Sequence, residues 1–425
     1  MTPKICFYED DQYRNFFPLT HLRPVYTLRS GIMPLFKRVG RYIESPDICL
    51  SCRDALSPLV SAEFRDYPVN MIKRSEEQSV LFLNGRLRDY GDLVKRLNGA
   101  RLITRLLSLD GGTAGLFFPL DTMSHIPLVA SIDQYNEEYR RFPDDIAELD
   151  TGATLYRYCW DLVDDIEKEI AADFAFLQDS LTGLDRAVIH KGVDLLNPEA
   201  IHIGAGVEVL PGSLIDATHG PVFIGDNSRV ESQVVINGPC YIGPNSVIVA
   251  GKITACSIGH TSRAGGEIEE SIFQSYVNKY HAGFIGHSYV GSWVNFGAMT
   301  TNSDLKNNYS NIRVTINGEP VDSGSIKVGS FIGDHTKFGI GTLLNTGISI
   351  GVSCNLFGGS LIVDNEVPSF SWGNSSGYQQ YRFDKAIETI RRSAARRNVT
   401  LSSSEEGLLQ KLSEGGVGGE GTVSF

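Results

Sequence analysis

With 425 residues the chain has material for two domains, each with a core of its own. A net charge of −12 with no long basic run excludes nucleic acid and anionic membrane as expected partners, and no apolar stretch is long enough to cross a bilayer. Glycine, at 44 residues, lies between short apolar runs, the pattern of many tight corners.

The opening segment MTPKICFYEDDQ lacks the apolar core of a signal peptide. Seven scattered cysteines, an odd number, suit free thiols in a reducing compartment, so the expected location is cytoplasmic. Cys49 and Cys52 form one C-x-x-C; with no second pair they read as half-buried thiols rather than zinc ligands.

Ile5–Tyr8, Ile48–Leu50 and Val80–Leu83 read as short buried strands, and Met33–Ile43, with Leu35, Val39 and Ile43 on one face, as an amphipathic helix. This alternation predicts an α/β layer domain with a mainly parallel sheet. Asp10 and Asp11 are adjacent, so as strand residues they would face opposite ways; a turn is the simpler reading than a metal pair. Trp160–Leu181 predicts a long connecting helix whose acids form a solvated face.

From about residue 185 to 370 the period changes. Ile203, Val209 and Ile215 are six apart; Ile224, Val230, Ile236, Ile242 and Ile248 keep the step; Phe284, Val290 and Phe296 resume it; Ile332, Phe338, Leu344 and Ile350 finish it. Glycine often follows the aliphatic residue. Period six is the hexapeptide pattern of a parallel β-helix, in which each unit forms one side of a triangular coil and points one side chain inward. The rhythm loosens over Gly251–Lys279 and breaks over Asn302–Ser325, where Asn317-Gly318 predicts a hairpin and the excursion offers a binding edge. Asp364 and Asn365 read as corner residues. Helices are expected at Asp384–Arg397, rich in arginine, and around Glu405–Leu412, then a Gly-rich disordered tail.

The chain resembles the bifunctional enzymes that join a sugar-1-phosphate nucleotidyltransferase domain to a left-handed β-helix acetyltransferase domain, whose type enzyme makes UDP-N-acetylglucosamine. It is most similar to a sugar nucleotidyltransferase branch with a divergent N-terminal loop. The resemblance runs from Pro18 to about Trp372. It rests on Pro18-Leu19-Thr20-His21-Leu22-Arg23-Pro24 and on the run K-Y-H-A-G-F-I-G-H-S-Y-V-G-S-W-V-N-F-G-A from Lys279 to Ala298. The resemblance implies a Rossmann-like nucleotidyltransferase domain over 1–182, a left-handed parallel β-helix acyltransferase domain over 183–371 and a helical tail over 372–425.

By the same resemblance His281 stands at the acetyl-transfer histidine, with Asn295 beside it. Phe284 stands where better-known members carry tyrosine, and Lys279 and Arg263 are candidate phosphate contacts. Arg23 and Arg29 are candidate nucleotide phosphate ligands, and Arg14 could replace a lost arginine. Three positions depart from the pattern. Val25 replaces a lysine, Tyr8–Arg14 replaces the glycine-rich loop, and Asn84-Gly85-Arg86 follows the strand where a metal-binding aspartate is expected. The co-substrate implied is acetyl-CoA, with Mg2+ for the N-terminal domain; the partners implied are a sugar phosphate, an NTP and two further copies in a homotrimer.

Histidine suits proton removal from an acyl acceptor near neutral pH, and asparagine or backbone N–H groups suit an oxyanion. The plain alternative is that His281 only hydrogen-bonds at a corner and Arg23 and Arg29 only pair with Asp10 or Asp11. His287, six residues on, reads as ordinary surface. Three functions remain open from sequence: acyl transfer with or without nucleotidyl transfer, nucleotidyl transfer with the β-helix as a trimerisation scaffold, and non-catalytic nucleotide-sugar binding.

Overall fold

The computed structural model describes residues 3–71, 78–97, 101–120, 146–181 and 186–415. The Gly-rich tail expected after the last helix lies outside them. The N-terminal part is built on a seven-stranded sheet: β1 Lys4–Tyr8, β2 Ile48–Leu50, β3 Val80–Asn84, β4 Leu87–Asp89, β5 Thr104–Ser108, β6 Thr113–Phe118 and β7 Ala147–Leu155, in the order β2-β1-β3-β6-β5-β7-β4. The three expected strands lie side by side and parallel. The sheet is mixed, however, because β6 pairs antiparallel with both β3 and β5, and β4 antiparallel with β7. Leu35–Arg41 is a 3-10 helix rather than the expected α-helix, and it buries Leu35, Phe36 and Val39. All seven cysteines are buried free thiols, Cys49 and Cys52 included.

The connecting segment forms two helices, α1 Cys159–Asp164 and α2 Ile166–Leu177. Its acids form a solvated face only in part: Asp164, Glu167 and Asp179 are exposed. Asp161, Asp165, Glu169 and Asp173 are all buried. Asp173 accepts from the backbone N–H of Ile32 (2.7 Å) and Met33 (3.0 Å) and pairs with Arg41. Glu169 lies 2.9 Å from Arg41 and 3.4 Å from Arg38, and Asp165 takes Arg88 in a two-point pair at 2.7 and 2.6 Å. Carboxylates can be buried when cations and backbone donors replace water, and here the cations come from distant sequence. Gly31 lets this turn approach the helix: a Cβ there would lie 2.5 Å from Asp173 Oδ2 and 2.7 Å from the Glu169 carbonyl.

The second part is a parallel solenoid, and period six places most of its core. One inward column runs Ile203, Ile224, Ile242, Ile258, Phe273, Val290, Ile332, Ile350 and Val367. Another runs Val209, Val230, Ile248, Ala264, Lys279, Phe296, Phe338 and Leu356. The third runs Ile215, Ile236, Ile253, Ile268 and Ile285, continuing with Leu344 and Ile362. Phe284 is thus one residue out of register. Ile285 fills the column, and Phe284 stays half-buried outside it. The loose stretch from Gly251 still coils. Strands Val247–Thr254 and Arg263–Glu269 run through a corner where Gly251 (φ +152°), Gly266 (φ +75°) and Gly283 (φ +126°) stack. A Cβ on Gly283 would meet the Thr300 carbonyl at 2.1 Å, so only glycine permits these coils to stack.

One outer side of the solenoid carries Tyr241, Ile272, Tyr289 and Phe331, an apolar row that water would meet in an isolated prism. All four are buried, in one cluster with Phe16, Leu28, Trp160 and Ile170 of the N-terminal part. At about 1.5–3 kcal/mol for each large apolar side chain, this row contributes strongly to holding the two parts together. The expected hairpin forms, Arg313–Ile316 with Glu319–Asp322, turning at Asn317 (φ +53°) and Gly318 (φ +81°). It folds back onto the same contact: Ile312, Val314 and Ile316 join the cluster, and Asn317 donates to the Arg14 carbonyl at 3.2 Å. The last helices, α3 Phe383–Ala395 and α4 Ser403–Glu414, also close on the N-terminal core, where Ile387, Ile390, Leu408 and Leu409 pack with Phe36, Leu56 and Val60.

Candidate functional site

The nucleotide-site candidates do not converge. Arg23, from the PLTxxRP run, reaches away from the sheet to pair with buried Asp334 of the solenoid and to donate to Ser292 Oγ at 3.3 Å. Arg29 is buried at the same contact. Its N–H donates to the Tyr289 hydroxyl at 3.0 Å, and its guanidinium lies 5.7 Å from the Tyr241 ring. The Arg14 guanidinium stands 5.4 Å from the Tyr13 ring centroid.

Asn84, at the end of β3, donates to Asp10 (2.8 Å) and to the Thr113 carbonyl (3.0 Å), and accepts from the Arg86 N–H. Arg86 grips Asp10 at 2.8 and 2.5 Å. Glu9 is fully buried against Arg53 (3.1 Å) and the Val25 N–H (2.9 Å), with burial pushing its carboxyl up against the pull of Arg53. The carboxylates at these strand ends therefore already have cations. Both Asp10 oxygens are engaged by Arg86 and Asn84, a donor set that does not fit Mg2+, which needs free carboxylate oxygens. Among the described residues no three His, Cys, Asp or Glu side chains gather on a metal-sized site.

The solenoid candidates fall on one corner and one flat side. Lys279 points inward and is 1% exposed, so it is no surface phosphate contact. Its ammonium donates to the carbonyls of His281 (2.5 Å) and Gly265 (3.3 Å), and burial pushes it down to about 8. It sits in an apolar column beside Ala264, which leaves space for the long stem. Lys279 thereby fixes the corner from which His281 projects. The His281 side chain is exposed, lies edge-on to Tyr280 at 5.3 Å between centroids, and has no side-chain hydrogen bond among the described residues.

The flat side before that corner carries Arg263, Asn278, Asn295 and Lys337 in successive rungs. Asn278 donates to Asn295 Oδ1 at 2.8 Å. Tyr276 and Trp293 stack at 4.0 Å along the adjoining edge. The end of α3, with Ser393, Arg396 and Arg397, covers this side and leaves a cavity of about 90 Å³. Arg263 and Asn295 are thus brought together, along with residues the sequence reading missed. The register rule that makes Lys337 the rung after Asn295 could have found it; nothing local could have delivered Arg396 and Arg397.

His287 is not surface. It is buried, with Nδ1 2.8 Å from Asp304 and Nε2 3.2 Å from Glu270. Burial alone would lower its pKa, but the two carboxylates outweigh that and hold it up to about 9, in a setting that also includes Lys327 and Asp164. It pins the start of the hairpin excursion. The stability from this imidazolium is complete below about pH 6.5 and is lost as pH rises through about 9. A melting-temperature series should therefore fall between pH 7 and 10 in the native protein, and His287→Gln should start lower and lose that slope.

Comparison with known proteins matches a family over the first part and finds relatives over part of the chain. Residues 5–182 match the sugar nucleotidyl transferase family. A bifunctional sugar-1-phosphate nucleotidylyltransferase/acetyltransferase of Sulfurisphaera tokodaii is 26% identical over 155 residues, 34% of this chain and 37% of that one. The bifunctional protein GlmU of Methanococcus maripaludis (strain C5) is 30% identical over 152 residues, 36% of this chain and 33% of that one. GlmU of Acaryochloris marina is 27% identical over 251 residues, covering 56% and 48%. The chain thus spans about a third to a half of the length of these relatives. Among solved structures, the UDP-N-acetylglucosamine acyltransferase from Campylobacter jejuni aligns over 54% of this chain and 98% of its own, at 10% identity and a TM-score of 0.25.

Proposed function

We propose that this chain, similar to bifunctional sugar-1-phosphate nucleotidyltransferase/acetyltransferases, is a transferase whose solenoid moves an acetyl group from acetyl-CoA to the amine of an amino-sugar phosphate. The observation that carries the reading is the exposed His281 imidazole on a corner fixed by buried Lys279, next to a polar, cationic solenoid side. In the step, the acceptor nitrogen attacks the thioester carbonyl and the C–N bond forms. His281 takes the proton that nitrogen loses. The C–S bond then breaks, and His281 returns the proton to the departing thiolate, leaving amide and free CoA thiol. Asn295, with backbone N–H groups of the turn, would hold the acceptor or the oxyanion. Phe284 offers a ring where a hydroxyl would otherwise contact the acceptor.

The acyl-CoA would lie along the prism in a homotrimer. Met299 (58% exposed), Ile340 (75%), Leu343 (38%) and Leu361 (45%) support this, as an exposed apolar strip next to the His281 corner, with Met299 N–H bonded to the Ala282 carbonyl. Ile340→Asp with Leu343→Asp should convert a trimer to monomer in light scattering and abolish thiol release, while the far-UV spectrum is kept. A wild-type monomer would contradict the trimer.

For the N-terminal part a second reading is favoured. With Arg23 and Arg29 engaged by the solenoid and Arg53 and Arg86 by Glu9 and Asp10, it acts as a docking or nucleotide-sugar-binding domain instead of a nucleotidyl transferase. Pyrophosphate release from NTPs with a sugar 1-phosphate panel and Mg2+ tests this. Turnover sensitive to Arg86→Ala would restore nucleotidyl transfer. CoA-thiol release from acetyl-CoA with amino-sugar phosphates tests the acyl reading.

A further inference from the structure

The cavity between the solenoid side and the end of α3 is lined by four cations. Arg263 and Lys337 come from the solenoid; Arg396 and Arg397 are the two residues that follow α3. Helix C-termini favour arginine on their own account, which explains one or two such residues. It does not explain two more cations facing them. Among the described residues, Arg263, Arg396 and Arg397 have no ion-pair partner, although arginines elsewhere in the chain pair freely with acids. The carboxylate nearest in effect to Lys337 is Asp334, which Arg23 already holds. Lys337 itself only donates to the Trp293 carbonyl.

In a chain of net charge −12, such a cluster is mutually repulsive, and each like-charge contact disfavours the closed cavity. Burial pushes Lys337 down to about 7, and burial with repulsion from Arg263 and Arg396 pushes Arg397 down. An anion in the cavity would remove the conflict. Its size suits one phosphate group, its aromatic edge of Tyr276 and Trp293 suits an apolar or sugar face, and Asn278 and Asn295 supply neutral hydrogen bonds. His281 is three residues beyond Asn278, within about 11 Å along the chain.

We propose that this cavity is a phosphate-ester subsite closed by Arg396 and Arg397, so that the C-terminal helix, packed on the N-terminal domain, completes the solenoid's binding site. The choice of ester rests on the acyl-transfer reading: an amino-sugar phosphate or the 3′-phosphate of CoA could supply it. The binding itself does not.

The test is thermal shift and calorimetry on the full chain in low-salt, phosphate-free buffer. The probes are inorganic phosphate, a hexosamine 1-phosphate, the same hexosamine without phosphate, CoA and 3′-dephospho-CoA. Inorganic phosphate should raise the melting temperature of the native protein. The double variant Arg396→Gln/Arg397→Gln, changed at a helix end away from the core, should melt no lower without ligand and bind about tenfold or more weakly. Lys337→Met should weaken binding likewise. If the hexosamine 1-phosphate alone is weakened, the subsite takes the acceptor; if CoA but not dephospho-CoA is weakened, it takes the donor. Equal binding of every probe by native and variant proteins, or no binding of any probe, overturns the proposal. Phosphate binding without any acetyl transfer would keep the subsite and sink the acyl reading.

Discussion

Asp173→Ala should lower stability by about 3–5 kcal/mol, the largest effect expected from a single side chain here. Asp173 is wholly buried, accepts two backbone N–H groups from Ile32 and Met33 and pairs with Arg41. Truncation leaves both donors without a partner, each costing about 1–3 kcal/mol, and removes one of two carboxylates from Arg41, which keeps Glu169. The turn at Gly31 is built against that carboxylate with no room to rearrange. Asp173→Asn retains one acceptor oxygen but turns an N–H group toward Arg41, so it should fall between native and alanine. Urea unfolding reads the difference. In a domain of this size the alanine variant should melt roughly 10 °C lower. A loss within about 0.5 kcal/mol, typical of a surface position, would show that this acidic row is solvated after all.

His281→Ala should leave stability unchanged and reduce acetyl transfer about 10²–10⁴-fold, the range set by loss of a positioned general base. The side chain is exposed and its imidazole holds nothing in place, so its removal disturbs no packing. The loss should appear in kcat with KM for acetyl-CoA little altered, because proton transfer is a transition-state interaction. Lys279→Met behaves differently. It removes the donor to the His281 carbonyl from a buried site, so the corner should loosen and KM and kcat should both change. If His281→Ala turned over like the native protein, the corner histidine would have no part in the chemistry.

The solenoid was legible because each side of a coil buries one side chain, and Ile224 through Ile248 repeat that demand without interruption. Phe284 misled because a bulky aromatic at the right spacing looks like a core residue; the corner at Gly283 shifts the register by one, and Ile285 goes in. The resemblance made Lys279 a phosphate contact, and His287 read as ordinary surface. Each is buried where local partners replace water, two carbonyls for the ammonium and two carboxylates for the imidazole. Asp165, Glu169 and Asp173 departed from the expected solvated face for the same reason at longer range, since Arg38, Arg41 and Arg88 approach only in the folded chain. The apolar outward row Tyr241, Ile272, Tyr289 and Phe331 was a readable sign that something covers that side. What covers it, including Arg23, could not be read from the repeat. Arg263 and Asn295 were found by motif, whereas the cations that face them from α3 depend on how the C-terminal helices pack.

The most direct measurement is product analysis by mass spectrometry after incubating the purified chain with isotope-labelled acetyl-CoA and an amino-sugar 1-phosphate. The account predicts a labelled N-acetylated sugar phosphate with native protein, little product from the same sugar lacking phosphate, and almost none with His281→Ala. No labelled product from any amino-sugar phosphate, or equal product with His281→Ala, would contradict it.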